Sequence, residues 1–177
     1  MKKLETTEIQ RLSIKDFQKA EKNPFVIVLD NIRSLHNVGS AFRTADAFAA
    51  EKIYLCGITG TPPNREIQKT ALGATESVSW EYMEDTNHLM DYLKQQGFQI
   101  VCIEQTSESV MLYNFEPLPN QKYAFVFGNE VFGVTESVVE KCDFSLEIPQ
   151  FGTKHSLNVS VSVGIICWHY VNKLFQS

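Results

Sequence analysis

The sequence predicts an α/β domain built on a mostly parallel sheet flanked by helices. Three observations carry this. Six short runs, most of them rich in Val, Ile, Phe or Tyr and bounded by Gly, Pro, Asn or Asp, recur along the 177 residues. Several are separated by segments with apolar residues at helical spacing. Strand and helix patterns therefore alternate, and alternation of this kind builds parallel sheets covered on both faces. The length fits one domain with room for a sizeable core. A hydrophobic content of 44% and a charged content of 21% are an ordinary globular balance.

Taken in order, residues 1–23 read as an N-terminal helical extension and 24–177 as the main domain. The first 22 residues carry six basic and four acidic side chains; that stretch is +2, which leaves −7 of the overall −5 to the rest. They hold no apolar run, so no secretory signal is expected. "FVIVLD" (25–30) is the first strand. Val38, Ala41, Phe42, Ala45 and Ala49 follow at helical spacing, with Asn37 placed as the N-cap. "KIYLCG" (52–57) is the second strand, "TGTPPN" (59–64) a loop, and "SVSWEY" (77–82) the third strand. Leu89, Met90 and Leu93 lie on one face of a helix over 85–96 that stops at Gly97. "FQIVCIE" (98–104), "YAFVFG" (123–128) and "FSLEIP" (144–149) complete the strands, with Val134, Val138 and Cys142 four apart on a helix over 133–142. From Ser156 to Val163 polar and apolar residues alternate, the pattern of a half-buried strand.

Other classes are excluded by the same reading. No stretch of 18 apolar residues could cross a membrane. Cys56, Cys102, Cys142 and Cys167 form no CxxC pair, which speaks against zinc and for free thiols in a reducing, cytoplasmic setting. A net charge of −5 does not attract polyanions globally, so nucleic acid would need a local basic patch.

In such sheets ligands lie at the carboxyl ends of the strands. The residues that follow the runs there are rich in amides, hydroxyls and ionisable groups: Asp30-Asn31-Ile32-Arg33, Gln105-Thr106, Gly128-Asn129-Glu130 and the stretch 150–156. Three segments stand out, "NIRSLHNVGSAFRTADAF" (31–48), "FVFGNEVFGV" (125–134) and "IPQFGTKHSLNVSVSVGI" (148–165). Each residue in them has a plain reading. Arg43 at the edge of an apolar stripe can snorkel or pair with a carboxylate. Gly128 and Gly133 can make an ordinary tight turn with Glu130 on its surface, Ser156 can be a helix cap, and Asn158 a packed polar residue.

Together, in this order, the three segments resemble the three motifs of the SpoU/TrmH family of RNA 2′-O-ribose methyltransferases, part of the SPOUT superfamily. Asn37 and Arg43 match the first motif, Gly128-Asn129-Glu130 the second, and Ile148-Pro149, Gly152 and Ser156-Leu157-Asn158-Val159-Ser160 the third. The resemblance covers about residues 24–172. It implies a single-domain α/β knot, a deep trefoil of SPOUT type, which topology rules alone would not predict. It also implies that the segment after Ser156 is a long helix packed in the domain and at a homodimer interface, against the local alternation; Ser156 is then its expected cap.

The activity implied is transfer of a methyl group from S-adenosylmethionine to a ribose 2′-hydroxyl. Arg43 is the group acting on the hydroxyl, either deprotonated by its surroundings or, since Arg is ordinarily always protonated, as a cation beside the developing alkoxide. Asn37 and Glu130 would hold Arg43 and the RNA, Asn158 would orient substrate or loop, and Ser156 would lie beside them. Thr106, Gly128, Ile148 and Leu157 would contact the cofactor. No metal is needed, and the family suggests the partner subunit as the source of Arg43 in each pocket. The extra N-terminal substrate-binding domain and the basic C-terminal extension of some members are expected to be absent, which favours tRNA as substrate, with rRNA the alternative. Arg11, Lys15, Arg33, Arg65, Lys69 and Lys154 are the expected RNA contacts. The rival readings are a non-catalytic RNA-binding protein on the same fold and an unrelated α/β enzyme that binds a nucleotide cofactor.

Overall fold

The computed structural model describes residues 1–5 and 8–175. Before the main domain, the described residues hold one α-helix, α1 (Ile14–Lys19), where Ser13 Oγ accepts the Asp16 N–H at 3.2 Å. Among the described residues, the expected extension is α-helical over these six. The first strand, β1 (Asn23–Asp30), already begins at the last residue assigned to it.

Strands and helices then alternate: α2 (Leu35–Ala47), β2 (Ala50–Cys56), α3 (Arg65–Ala71), α4 (Ala74–Ser77), β3 (Trp80–Met83), α5 (Thr86–Gln95) and β4 (Phe98–Ile103). They continue with the two-residue β5 (Val110–Met111), β6 (Lys122–Phe127), α6 (Glu136–Val139), β7 (Phe144–Glu147) and α7 (Val159–Leu174). The sheet order is β3-β2-β1-β6-β4-β7-β5, and every pairing between these strands is parallel. This is the flanked parallel sheet that the sequence predicts. β5 is too short to leave a periodic signal. α3 and α4 follow the Pro-rich loop in a stretch where no apolar stripe is long enough to announce a helix.

Alternate residues of each central strand serve two cores. Phe25, Ile27 and Leu29 of β1 face a layer made by α2, α3 and α7, whereas Val26 and Val28 face α5 and α6. That division explains why the strands read as unbroken apolar runs. On the first side α7 is fixed by aromatic packing. The ring of Tyr170 meets Phe25 at 5.1 Å, Phe125 at 5.5 Å and Tyr123 at 5.6 Å, all near-perpendicular. Each such pair contributes about 0.5–1.5 kcal/mol beyond burial.

α7 corrects the strand pattern of 156–163. Val159 and Val163, then Ile166, Cys167, Tyr170 and Val171, form one inward stripe at spacings of three and four, which only a helix can bury. The alternation seen in eight residues is what a small-residue helix shows when the window is too short. Further boundaries differ from expectation: the third strand, expected over 77–82, runs Trp80–Met83 with Ser77 in α4, and α2 ends at Ala47 before Ala49. α2 starts at Leu35 and is capped by Ser34, whose Oγ accepts the Asn37 N–H at 3.3 Å, so Asn37 is inside the helix. α7 is capped by Asn158, not Ser156, because Asn158 Oδ1 accepts the Ser160 N–H at 2.8 Å. The helix expected over 133–142 is cut to Glu136–Val139, since Asn129 to Gly133 fold back on themselves.

Candidate active site

The loops after β4, β6 and β7, three neighbouring strands, enclose a cavity of about 540 Å³ at the carboxyl edge of the sheet. The wall after β6 is a tight loop. Asn129 and Gly133 exchange backbone hydrogen bonds at 2.9 Å in both directions. Asn129 Oδ1 accepts the N–H groups of Val131 (2.9 Å) and Phe132 (3.2 Å), and its Nδ2 donates to the Asn31 carbonyl at 2.8 Å. A Cβ on Gly128 would fall 2.0 Å from Val134 N and 2.1 Å from Gly133 C. The loop therefore closes backbone on backbone, and residue 128 must be glycine.

The far end of that loop is anchored by Asp30, fully buried at the end of β1. Its carboxylate accepts the Thr135 N–H (3.0 Å) and hydroxyl (2.7 Å), the Thr86 hydroxyl (2.6 Å) and the Asn31 amide (2.9 Å). Four donors on one carboxylate satisfy a buried charge that would otherwise be costly.

Glu130 links the second segment to the first. Its Oε2 accepts the Arg33 N–H at 2.9 Å, and its Oε1 accepts the Ser34 N–H at 3.0 Å and the Asn37 Nδ2 at 3.0 Å. These are donors in and just before the first turn of α2, where backbone N–H groups lack partners within the helix and a negative charge is favoured. Burial alone would raise the Glu130 pKa, but the N–H groups of Arg33 and Ser34 and the Asn37 amide together hold it below the ordinary glutamate value. Asn37 Oδ1 in turn accepts from Asn158 Nδ2 at 3.2 Å, and Asn158 caps α7. One polar chain, Glu130 to Asn37 to Asn158, thus ties the three segments and seats the starts of both helices.

The expected site residues divide accordingly. Gly128, Glu130, Ile148, Ser156, Leu157 and Asn158 line the cavity, and Asn37 sits one hydrogen bond behind it. Thr106 does not line it; its Oγ1 lies 2.6 Å from Ser145 Oγ, beside β7. Arg43 does not line it either. It is exposed on α2 and makes no hydrogen bond or ion pair to the described residues of its own chain. Six residues along the helix from Asn37, it points to a different side. Of the expected RNA contacts, Lys69 is held by Glu66 at 2.7 Å, a carboxylate that also meets His36 at 3.1 Å. Arg33, Arg65 and Lys154 are exposed.

Sequence reasoning missed the work done by Asn129 and Asp30 and the presence of Glu104 and Glu147 on the wall. An Asn between a strand-ending Gly and a second Gly is an Asx-turn signal that could have found the first. Little local marks Asp30, three of whose four donors come from residues 56 and 105 positions away.

A parallel sheet whose carboxyl edge carries a loop-walled pocket of mixed apolar and polar lining places the chain among α/β proteins with a cavity suited to a nucleotide-like ligand. The chain belongs to the SpoU rRNA Methylase family, whose model matches residues 24–168. It is 35% identical over 143 residues, 81% of its length, to the 23S rRNA (guanosine-2′-O-)-methyltransferase RlmB of Neisseria meningitidis, of which the match spans 56%. Its fold superposes with a TM-score of 0.81 and 26% identity on the A. aeolicus TrmH/SpoU tRNA modifying enzyme, covering 92% of this chain and 83% of that one. The SpoU methyltransferase AviRb from Streptomyces viridochromogenes, in complex with AdoMet, shares the fold at a TM-score of 0.81 and 20% identity, over 92% of this chain and 65% of that one.

Proposed function

We propose that the chain is an S-adenosylmethionine-dependent RNA 2′-O-ribose methyltransferase, acting on tRNA in the cytoplasm as a homodimer. The observation that carries this is the hydrogen-bonded chain Glu130–Asn37–Asn158, which brings the three family segments to one cavity.

The cavity residues fit S-adenosylmethionine. Ile103, Leu146, Ile148 and Leu157 offer apolar surface for an adenine, the Gly128 loop offers backbone, and the volume of about 540 Å³ lies within the range of small-molecule pockets. When bound, that cofactor supplies a methyl group on a cationic sulfur, which leaves as a neutral thioether. The chain's own residues do the rest. Gly128, Ile148 and Leu157 hold the donor, with Thr106 acting through the loop it braces. Asn158 and Ser156 at the mouth of the cavity orient the ribose. Glu130 and Asn37 keep the start of α2 in place. Arg43 acts on the 2′-hydroxyl, stabilising the oxygen as its proton passes to solvent or a substrate phosphate, while the new O–C bond forms and the methyl–sulfur bond of the donor breaks.

Arg43 lies outside the cavity of its own chain, and this supports a second copy as its source. The exposed apolar face of α7, with Val161 and Trp168, is a suitable contact for that copy. The trefoil knot of the family is part of the same reading: 148–158 runs beside the 128–133 loop before α7 turns back onto α2. No helix among the described residues is long and apolar enough to cross a membrane. An rRNA substrate is the second reading, favoured by the likeness to RlmB.

The test is incubation with labelled S-adenosylmethionine and unmodified tRNA or rRNA fragments, followed by mapping of the modified nucleotide. A 2′-O-methyl ribose in tRNA is the expected product. Cofactor binding without transfer to any RNA would favour a non-catalytic binding protein, and absence of cofactor binding would overturn the reading.

A further inference from the structure

Three carboxylates stand on the cavity wall, and they are not equivalent. Glu130 is committed to the donors at the start of α2. Glu104 and Glu147 remain. They follow directly on Ile103 and Leu146, a paired position of the adjacent strands β4 and β7, so the sheet itself brings them to one rim. Glu104 lies against the 128–134 loop, its Oε1 accepting the Gln105 N–H at 2.9 Å and its Oε2 the Val134 N–H at 3.2 Å. A Cβ on Gly133, where φ is +71°, would fall 2.2 Å from that Oε2, so a glycine is what lets the carboxylate approach. Glu147 Oε2 accepts the Ser109 hydroxyl at 2.7 Å. Every one of these donors is neutral, and neither carboxylate forms an ion pair with the described residues, so neither negative charge is cancelled among them. His155 is the sole basic side chain among the residues lining the cavity.

We propose that Glu104 and Glu147 are charge-selecting residues of the cofactor cavity, which retain the cationic sulfonium donor and release the neutral thioether product. The inference rests on the reading that this cavity binds S-adenosylmethionine. Donor and product differ by one methyl group and one unit of positive charge. Contacts with the adenosine and amino-acid portions are common to both and cancel in the ratio of affinities, which leaves the charge-dependent part. Two carboxylates at a half-exposed rim make that ratio about tenfold in favour of the donor. The consequence is turnover: methyl transfer removes the charge that held the ligand, so the product leaves without a separate conformational step.

Calorimetry on the full chain tests this with S-adenosylmethionine and S-adenosylhomocysteine at low and high salt. It uses the wild type, Glu104→Gln, Glu147→Gln and the double variant, with melting curves to confirm folding. The wild type is expected to prefer the donor about tenfold at low salt and less at high salt. The double variant is expected to bind both ligands alike. Equal weakening of the two ligands in the variants would reduce Glu104 and Glu147 to loop anchors and overturn the inference. So would a wild-type ratio near one, or one indifferent to salt, and that measurement needs no variant to fold. If the wild type binds neither ligand, it is the functional reading that fails.

Discussion

α2 and α7 both begin beside the cavity, and their first turns are joined through Asn37 and Asn158, yet they are built differently. α2 has a polar face and an apolar one; its start is held by a carboxylate from another loop and it carries Arg43 outward into solvent. α7 is apolar or small nearly all round: its inner stripe packs on the sheet while Val161 (48% exposed) and Trp168 (60%) remain outside. A helix of the first kind places a charged group at a defined position. A helix of the second kind provides a wall, and its outer face is surplus to the fold of one chain. In the proposed reading, chemistry falls to α2 and assembly to α7.

The most severe break is Arg43→Ala. In the proposed mechanism it lowers transfer by about 10²–10³-fold or more, the scale for losing one preorganised stabiliser of a developing oxyanion. S-adenosylmethionine affinity by calorimetry is expected to stay within a few-fold, and the sedimentation behaviour to be unchanged. Full transfer by this variant would remove Arg43 from the chemistry. The complementary break is Trp168→Glu on α7. Trp168 is largely exposed and its ring lies 6.3 Å from that of Phe48, outside the buried core, so a charge there spares the core. A shift from dimer to monomer by sedimentation is expected, together with loss of transfer and retention of helical content by circular dichroism. A dimer that persists would mean that assembly uses another face.

Asn37→Ala cuts the link between the helices. Asn37 is 9% exposed and serves Glu130 and Asn158 at once, so its loss leaves both partners short. A stability loss of about 1–2 kcal/mol is expected, read from the urea midpoint. No change at all would mean that the two helix starts are positioned independently.

How much of this was legible depends on where the information lies along the chain. Six of the seven strands were legible, the central ones because burial on both faces makes "FVIVLD" and "YAFVFG" nearly continuous apolar runs; the two-residue β5 was not. α5 was legible from Leu89, Met90 and Leu93 and its stop at Gly97. α7 was not legible from local alternation, since Ser160 and Ser162 mimic a strand period; only the longer stripe to Val171 shows the helix. The cavity residues of the second and third segments were found through their joint resemblance to a family. The capping residue of α2 was misplaced by three positions, because the Asn37 side chain is taken by Glu130, which lies 93 residues away in sequence. Partners that distant leave no mark in a window of neighbouring residues.

Glu130 also sharpens the comparison through pH. Its pKa is held below the ordinary glutamate value of about 4.5, so the ionised form stabilises the fold. That contribution is complete above the unfolded value and is lost as pH falls through the lower folded one. Stability measured by urea titration is therefore expected to decline with falling pH below about 4.5, and Glu130→Gln is expected to flatten part of that decline. An identical pH profile in the variant would remove Glu130 as the charged anchor of α2.

The smallest expected effect compares two lysines on opposite sides of this divide. Lys69 on α3 is already neutralised by Glu66 at 2.7 Å, whereas Lys154, in the loop leading to α7, is exposed beside His155 on the cavity wall. A free cation that meets an RNA phosphate releases counterions on binding; one already paired with a carboxylate has little left to give. Lys154→Glu is expected to weaken RNA binding a few-fold at low salt and to reduce the slope of log affinity against log salt by about one. Lys69→Gln is expected to change that slope by less. An unchanged slope in the Lys154 variant would move the RNA track away from the loop before α7 and toward Arg33 at the approach to α2, leaving both chemistry and substrate guidance on the polar helix.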